Sequence, residues 1–142
     1  MAGVDVRMIS QSAGFVFTDV PYVAGNFTAT AAMTWTVDLA DQITFRMGQL
    51  GTMLWLNIRL TATTVGGVVA GANLQILIPG GFTVRNECIF SALAAPGGGV
   101  SEGTIGFATA GSNKITVLRY ATNWVLGANN TDVGFNVMLE RN

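Results

Sequence analysis

The chain has 142 residues, half of them apolar, only 11% charged, and a formal net charge of −1. That is enough for one domain with its own core, and about half the charge that a typical soluble domain carries. With no histidine and one cysteine, zinc sites of the Cys/His kind and an intrachain disulfide are excluded.

Residues 1–26 show weak periodicity, small polar residues and one apolar cluster at Phe15-Val16-Phe17. They read either as an extended N-terminal arm that docks on something or as an ordinary edge strand with a frayed terminus. The opening Met-Ala-Gly-Val-Asp-Val-Arg lacks a basic region followed by an apolar segment, so no signal peptide is expected. Short strands are predicted next at 32–37 and 42–47. In 52–61 the alternation is regular: Leu54, Leu56, Ile58 and Leu60 point one way, and Met53, Trp55, Asn57 and Arg59 the other. A Met and a Trp on the outward face of a monomer are unusual, and point to a subunit contact.

The most hydrophobic region, 53–72, is broken by Asn57, Arg59, several threonines and Gly66-Gly67, so it reads as a strand and a turn and not as a membrane span. Leu74, Ile76 and Ile78 alternate again before Pro79-Gly80-Gly81 ends the strand. Further strands are predicted at 87–94, 104–109 and 114–120, and the last at 133–139 with Val133, Phe135, Val137 and Leu139 on one face. Turns fall at Gly66-Gly67, Pro96-Gly97-Gly98-Gly99, Gly111-Ser112-Asn113 and Gly127-Ala128-Asn129-Asn130. Short strands at regular spacing predict an all-β chain: an antiparallel β-sandwich, jelly-roll-like, of about eight or nine strands over 27–142, with the arm over 1–26.

Groups for chemistry are few. Asp38 and Asp41 sit three apart in a loop without the calcium-loop pattern, and Glu87 and Glu102 could meet across strands only as any two residues of a sandwich could. Residues 96–102 lack the Gly-Lys-Ser/Thr of a phosphate loop. Cys88, beside Ile89 and Phe90, reads as a small buried hydrophobe, with an intermolecular disulfide or a reactive thiol as the alternative. No catalytic residue, cofactor or metal is expected, and the seven thinly spread basic residues offer no stripe for nucleic acid. Phe15, Phe17, Met53 and Trp55 are the candidate contacts to other copies or to a shell. Trp35, Trp55 and Trp124 read as core or interface anchors; as the alternative, Trp124 and Asn129, in an Asn- and Thr-rich stretch, are the candidates for a carbohydrate or receptor contact.

Three stretches carry a resemblance: Met33-Thr34-Trp35-Thr36-Val37; Gly48-Gln49-Leu50-Gly51 leading into Leu54-Trp55-Leu56-Asn57-Ile58; and Leu74-Gln75-Ile76-Leu77-Ile78-Pro79. In this order they resemble the small β-sandwich domains of tailed-phage virions, over about 35–139, by pattern more than by identity. The resemblance implies a virion structural protein made in a host cytoplasm, trimeric, with a major capsid protein or another virion protein as partner. It brings no catalytic residues. A chain that is nearly all one domain favours a free-standing capsid decoration, or cement, protein; the alternative is the receptor- or carbohydrate-binding head of a fibre. Neither nucleic acid nor membrane is an expected partner.

Overall fold

The computed structural model describes residues 14–120 and 122–142, so the first half of the expected arm lies outside the described residues. Among the described residues ten strands form: β1 (Val16–Asp19), β2 (Phe27–Ala29), β3 (Met33–Thr36), β4 (Gln42–Leu50), β5 (Met53–Gly67), β6 (Leu74–Leu77), β7 (Cys88–Ala95), β8 (Glu102–Ala108), β9 (Lys114–Leu118) and β10 (Gly127–Glu140). Helix is confined among the described residues to single 3-10 turns, two of them opened by Pro79 and Pro96. No helix there is long and apolar enough to cross a membrane.

All pairings are antiparallel, and the strands follow one another in the order β1-β4-β5-β10-β7-β8-β9-β6-β2, with β3 added to β5. The pairs β5·β10, β6·β9 and β7·β8 are nested in sequence, the pattern of a strand ribbon rolled on itself, as in a jelly roll. Period-two patterning drives the roll. Leu54, Leu56, Ile58 and Leu60 of β5 face inward beside Val133, Phe135, Val137 and Leu139 of β10, and meet Leu74, Ile76, Ile115 and Val117 in one buried cluster. Each such aliphatic side chain taken from water contributes about 1.5–3 kcal/mol.

The long strand β5 changes neighbours along one edge: β4 covers it to Leu60, and β3 takes over from Thr64. Between them Ala62 adopts a left-handed φ of 58°, and its N–H donates to the Asp132 carboxylate at 2.9 Å. The register of β10 against β5 shifts at the same level, so a bulge bends the pair and carries it from one layer toward the other. At this corner Phe27, Trp35 and Phe45 close the core; the Trp35 ring meets Phe27 edge-on at 5.6 Å. The Trp35 Nε1–H donates to Thr63 Oγ1 at 2.9 Å, and the Thr63 hydroxyl donates to the Thr131 carbonyl at 2.7 Å, which ties β3, β5 and β10 together inside the core.

The sheet also corrects two expected turns. Gly66-Gly67 belongs to β5, because β3 approaches so closely that a Cβ at Gly66 would fall 2.7 Å from Thr34 Oγ1. Gly127 to Asn130 opens β10 and is not a free connection.

Candidate assembly surface

Facing outward on β1, β4, β5 and β10 is a row set by register: Phe17 opposite Gly48, Gly48 opposite Trp55, Trp55 opposite Met138. Gly48 makes the row possible. A Cβ there would fall 2.5 Å from the Phe17 ring, so glycine lets that ring lie across β4 and reach Trp55 edge-on at 4.9 Å. Phe15 stacks on Phe17 at 5.9 Å and meets Trp55 at 6.1 Å. The candidates Phe15, Phe17 and Trp55 therefore form one aromatic cap within the chain, with half-buried Met53 two residues along the same face. Of the two readings for residues 1–26, the part from Val16 to Asp19 is an edge strand.

The adjacent row is polar. Asp19 and Arg46 form an ion pair at 3.1 Å, Arg46 stands 5.7 Å from the Phe17 ring centroid, and Asn57 donates to Asn136. The two exposed Arg46 contacts hold β1 on β4, each contributing about 1 kcal/mol or less, and the Asn57–Asn136 bond ties β5 to β10. On β10 and on β7 beyond it the outward apolar residues are Met138, half exposed, and Ile89 and Leu93, at 68% and 60%. The Cys88 thiol lies 3.9 Å from the Met138 carbonyl, which brings the start of β7 beside the end of the aromatic row.

A groove of about 790 Å³ runs over β5, β10, β7 and β8. Its floor is backbone because Gly134 faces Arg59 on one side and Leu93 on the other, and Leu93 in turn faces Gly103. Asn57, Arg59, Asp132, Asn136 and Ser91 supply its polar groups, suited to hydrogen bonding. No group of three or more metal-ligating side chains occurs among the described residues.

The remaining candidates have structural places. Asp38 and Asp41 form a capping box on a 3-10 turn, in which the Asp41 carboxylate accepts the Asp38 N–H at 2.8 Å. Glu102 stands opposite Ala94 at one end of the β7·β8 ladder, whereas Glu87 precedes the other end, so the two carboxylates do not meet. Glu102 pairs instead with Arg119 at 2.5 Å, and the guanidinium hydrogen bond holds its carboxyl below the usual range. Cys88 is half-buried, and burial pushes its thiol up.

Trp124 requires a correction. Of its two readings, core or interface anchor and stacking platform for a sugar or receptor, the second fails, because only 2% of it is exposed and its ring belongs to the core cluster. Asn129 is exposed with φ 52°; its N–H donates to Thr64 Oγ1 at 2.9 Å, and its Oδ1 accepts from the same hydroxyl at 3.1 Å. It secures the bulged start of β10 and makes no platform with Trp124.

No family model, curated protein or solved structure matches this chain.

Proposed function

We propose that this chain is a virion structural protein, a capsid decoration protein that associates with copies of itself as a trimer and seats on the major shell protein. The observation that supports it is an outward surface rich in large apolar side chains, Ile89, Leu93 and Met138 among them, on a chain with 11% charged residues. Such patches on a soluble protein are the mark of surfaces made to be covered. The resemblance of residues 35–139 to tailed-phage β-sandwich domains gives the assembly its setting.

The mechanism is mechanical. Apolar area removed from water contributes roughly 25 cal/mol per Å² before the cost of association, and many copies on one lattice multiply a modest contact. The partner this reading names is shell protein, with neither nucleic acid nor membrane. Peptide mass spectrometry of purified particles from the source culture tests it. The chain is expected at a fixed ratio to the shell protein and retained through a density gradient; its absence from particles, with abundant chain in the infected-cell lysate, contradicts the reading.

A further inference from the structure

Several strand glycines of this chain make room for something inside the molecule. A Cβ at Gly48, Gly66 or Gly106 would collide with Phe17, Thr34 or Phe90. Gly134 and Gly103, in the groove over β5, β10, β7 and β8, are different. Neither has a positive φ. A Cβ at Gly134 would meet only the Ile58 carbonyl oxygen at 3.5 Å, an ordinary contact, and one at Gly103 would meet nothing within 4 Å. Glycine inside a strand costs stability, and where neither a turn nor packing requires it, it leaves the backbone open to a group from outside.

Four exposed side chains surround the gap at Gly134. Arg59 stands opposite it on β5 and Leu93 opposite it on β7, while Asp132 and Asn136 flank it along β10 on the same face. Strand geometry sets the Arg59 and Leu93 backbones about 10 Å apart and those of Asp132 and Asn136 about 13 Å apart, which leaves room for one sugar ring over the glycine. Arg46, Arg85 and Arg119 are held in ion pairs and Arg141 on the Gly51 carbonyl, whereas Arg59 has no hydrogen-bond or ion-pair partner among the described residues. The Asp132 carboxylate is aligned by the Ala62 N–H on one oxygen at 2.9 Å, and its other oxygen has no partner among the described residues. Asn136 accepts from Asn57 and keeps its own amide N–H groups for a ligand.

We propose that this groove binds an acidic sugar, a uronic acid unit of a polysaccharide, with its carboxylate on Arg59, its hydroxyls on Asp132 and Asn136, and a C–H face against Leu93. The inference goes beyond the assembly reading above and does not depend on it. The charges in the groove select the ligand. An unpaired guanidinium takes a carboxylate through two parallel hydrogen bonds. A phosphate or a simple carboxylic acid brings no hydroxyl for Asp132, whose charge repels it. A neutral sugar gives Asp132 its hydroxyls and leaves Arg59 without a counter-charge. A uronic acid carries its carboxylate at one side of the ring and hydroxyl donors on the others, so it satisfies both groups at once.

Titration of the isotope-labelled full chain with short oligosaccharides of galacturonic and of glucuronic acid, followed by amide chemical shifts, tests this. At least one of the two acids is expected to move the amides of Arg59, Gly134 and Asn136. Arg59→Gln, and Gly134→Val, which fills the gap, are expected to bind it at least tenfold more weakly, and Arg85→Gln, at the far end of β10, to bind as the parent does. Circular dichroism verifies each fold, and Arg59→Gln, an exposed position, carries the test alone if Gly134→Val does not fold. The methyl esters of the same oligosaccharides keep the ring hydroxyls and lose the charge, and are expected to bind at least tenfold more weakly. The inference is overturned if neither acid moves these amides, or if the esters bind as well as the acids. An equal loss in Arg85→Gln shows diffuse charge attraction in place of a site and overturns it too. Equal shifts with succinate, which has carboxylates and no hydroxyls, reduce the groove to an anion site and overturn the sugar assignment.

Discussion

Replacing Thr63 by valine removes one hydroxyl and almost no volume, yet it deprives two groups of a partner. The Thr63 hydroxyl is fully buried, accepts from the Trp35 indole at 2.9 Å and donates to the Thr131 carbonyl at 2.7 Å. Losing a partner inside a core costs about 1–3 kcal/mol per stranded group. The expected loss is therefore about 2–5 kcal/mol, a sizeable part of the roughly 7–20 kcal/mol available to a domain of this length. For a chain this size that is a fall in melting temperature of roughly 8–18 °C. Denaturant unfolding followed by far-ultraviolet circular dichroism gives the free energy, and the Trp35→Phe background gives the coupling. With the indole donor already gone, Thr63→Val strands one group fewer, so its cost is expected to shrink by about 1 kcal/mol or more. A loss below about 0.5 kcal/mol, or the same cost in both backgrounds, would refute the claim that this hydroxyl ties β3, β5 and β10 together.

Three further outcomes follow from other parts of the molecule. Phe17→Ala uncovers half-buried Trp55, whereas Trp35 and Trp124 stay buried in the core, so acrylamide quenching is expected to rise and the emission to shift red; unchanged quenching contradicts the aromatic cap. Burial raises the Cys88 thiol, so iodoacetamide is expected to react with it more slowly at neutral pH than with a free cysteine, gaining speed as pH rises; reaction at the free rate contradicts its placement. Because Arg119 lowers the Glu102 carboxyl, the pair's contribution is present above the ordinary carboxylate range and is lost as pH falls through the depressed value. Glu102→Gln is expected to cost no more than about 1 kcal/mol at neutral pH, since the carboxylate is partly exposed, and to flatten the acid limb of the stability curve; an unchanged acid limb contradicts the pairing.

The strands with clean alternation were legible because one face of each is buried, and sequence period then reports geometry directly. β5 and β10 show this best, with every predicted inward residue from Leu54 to Leu60 and from Val133 to Leu139 in the core. Glycine was misleading where its purpose is close approach. Gly66 reads as a turn in the sequence, but it admits the Thr34 hydroxyl of β3, and only the partner strand reveals that. β2 is three residues long, too short to express a period, and its place is set by pairing with β6.

The outward surface was legible in part. Alternation separated Met53 and Trp55 from the inward leucines, but it could not show that Phe17 crosses Gly48 to cover Trp55, because that contact depends on β1 pairing with β4. Strand β7 has two apolar faces, with Cys88, Phe90, Ala92 and Ala94 on one and Ile89 and Leu93 on the other, and composition does not say which faces water. Trp124 lies in a stretch of polar neighbours, and its burial comes from the fold around it. The loops at the Gly67 end of β5 come from segments far apart in sequence, and only hydrogen bonds such as that from the Gly71 N–H to Asn123 Oδ1 show that they meet.

The self-association proposed for this chain has a direct test in its mass in solution. Light scattering on the purified full chain over a hundredfold range of concentration tests it most directly. The expected mass is three times the 14.9 kDa of the single chain, holding as the sample is diluted until the contacts release together. A constant 14.9 kDa across the whole range would contradict it.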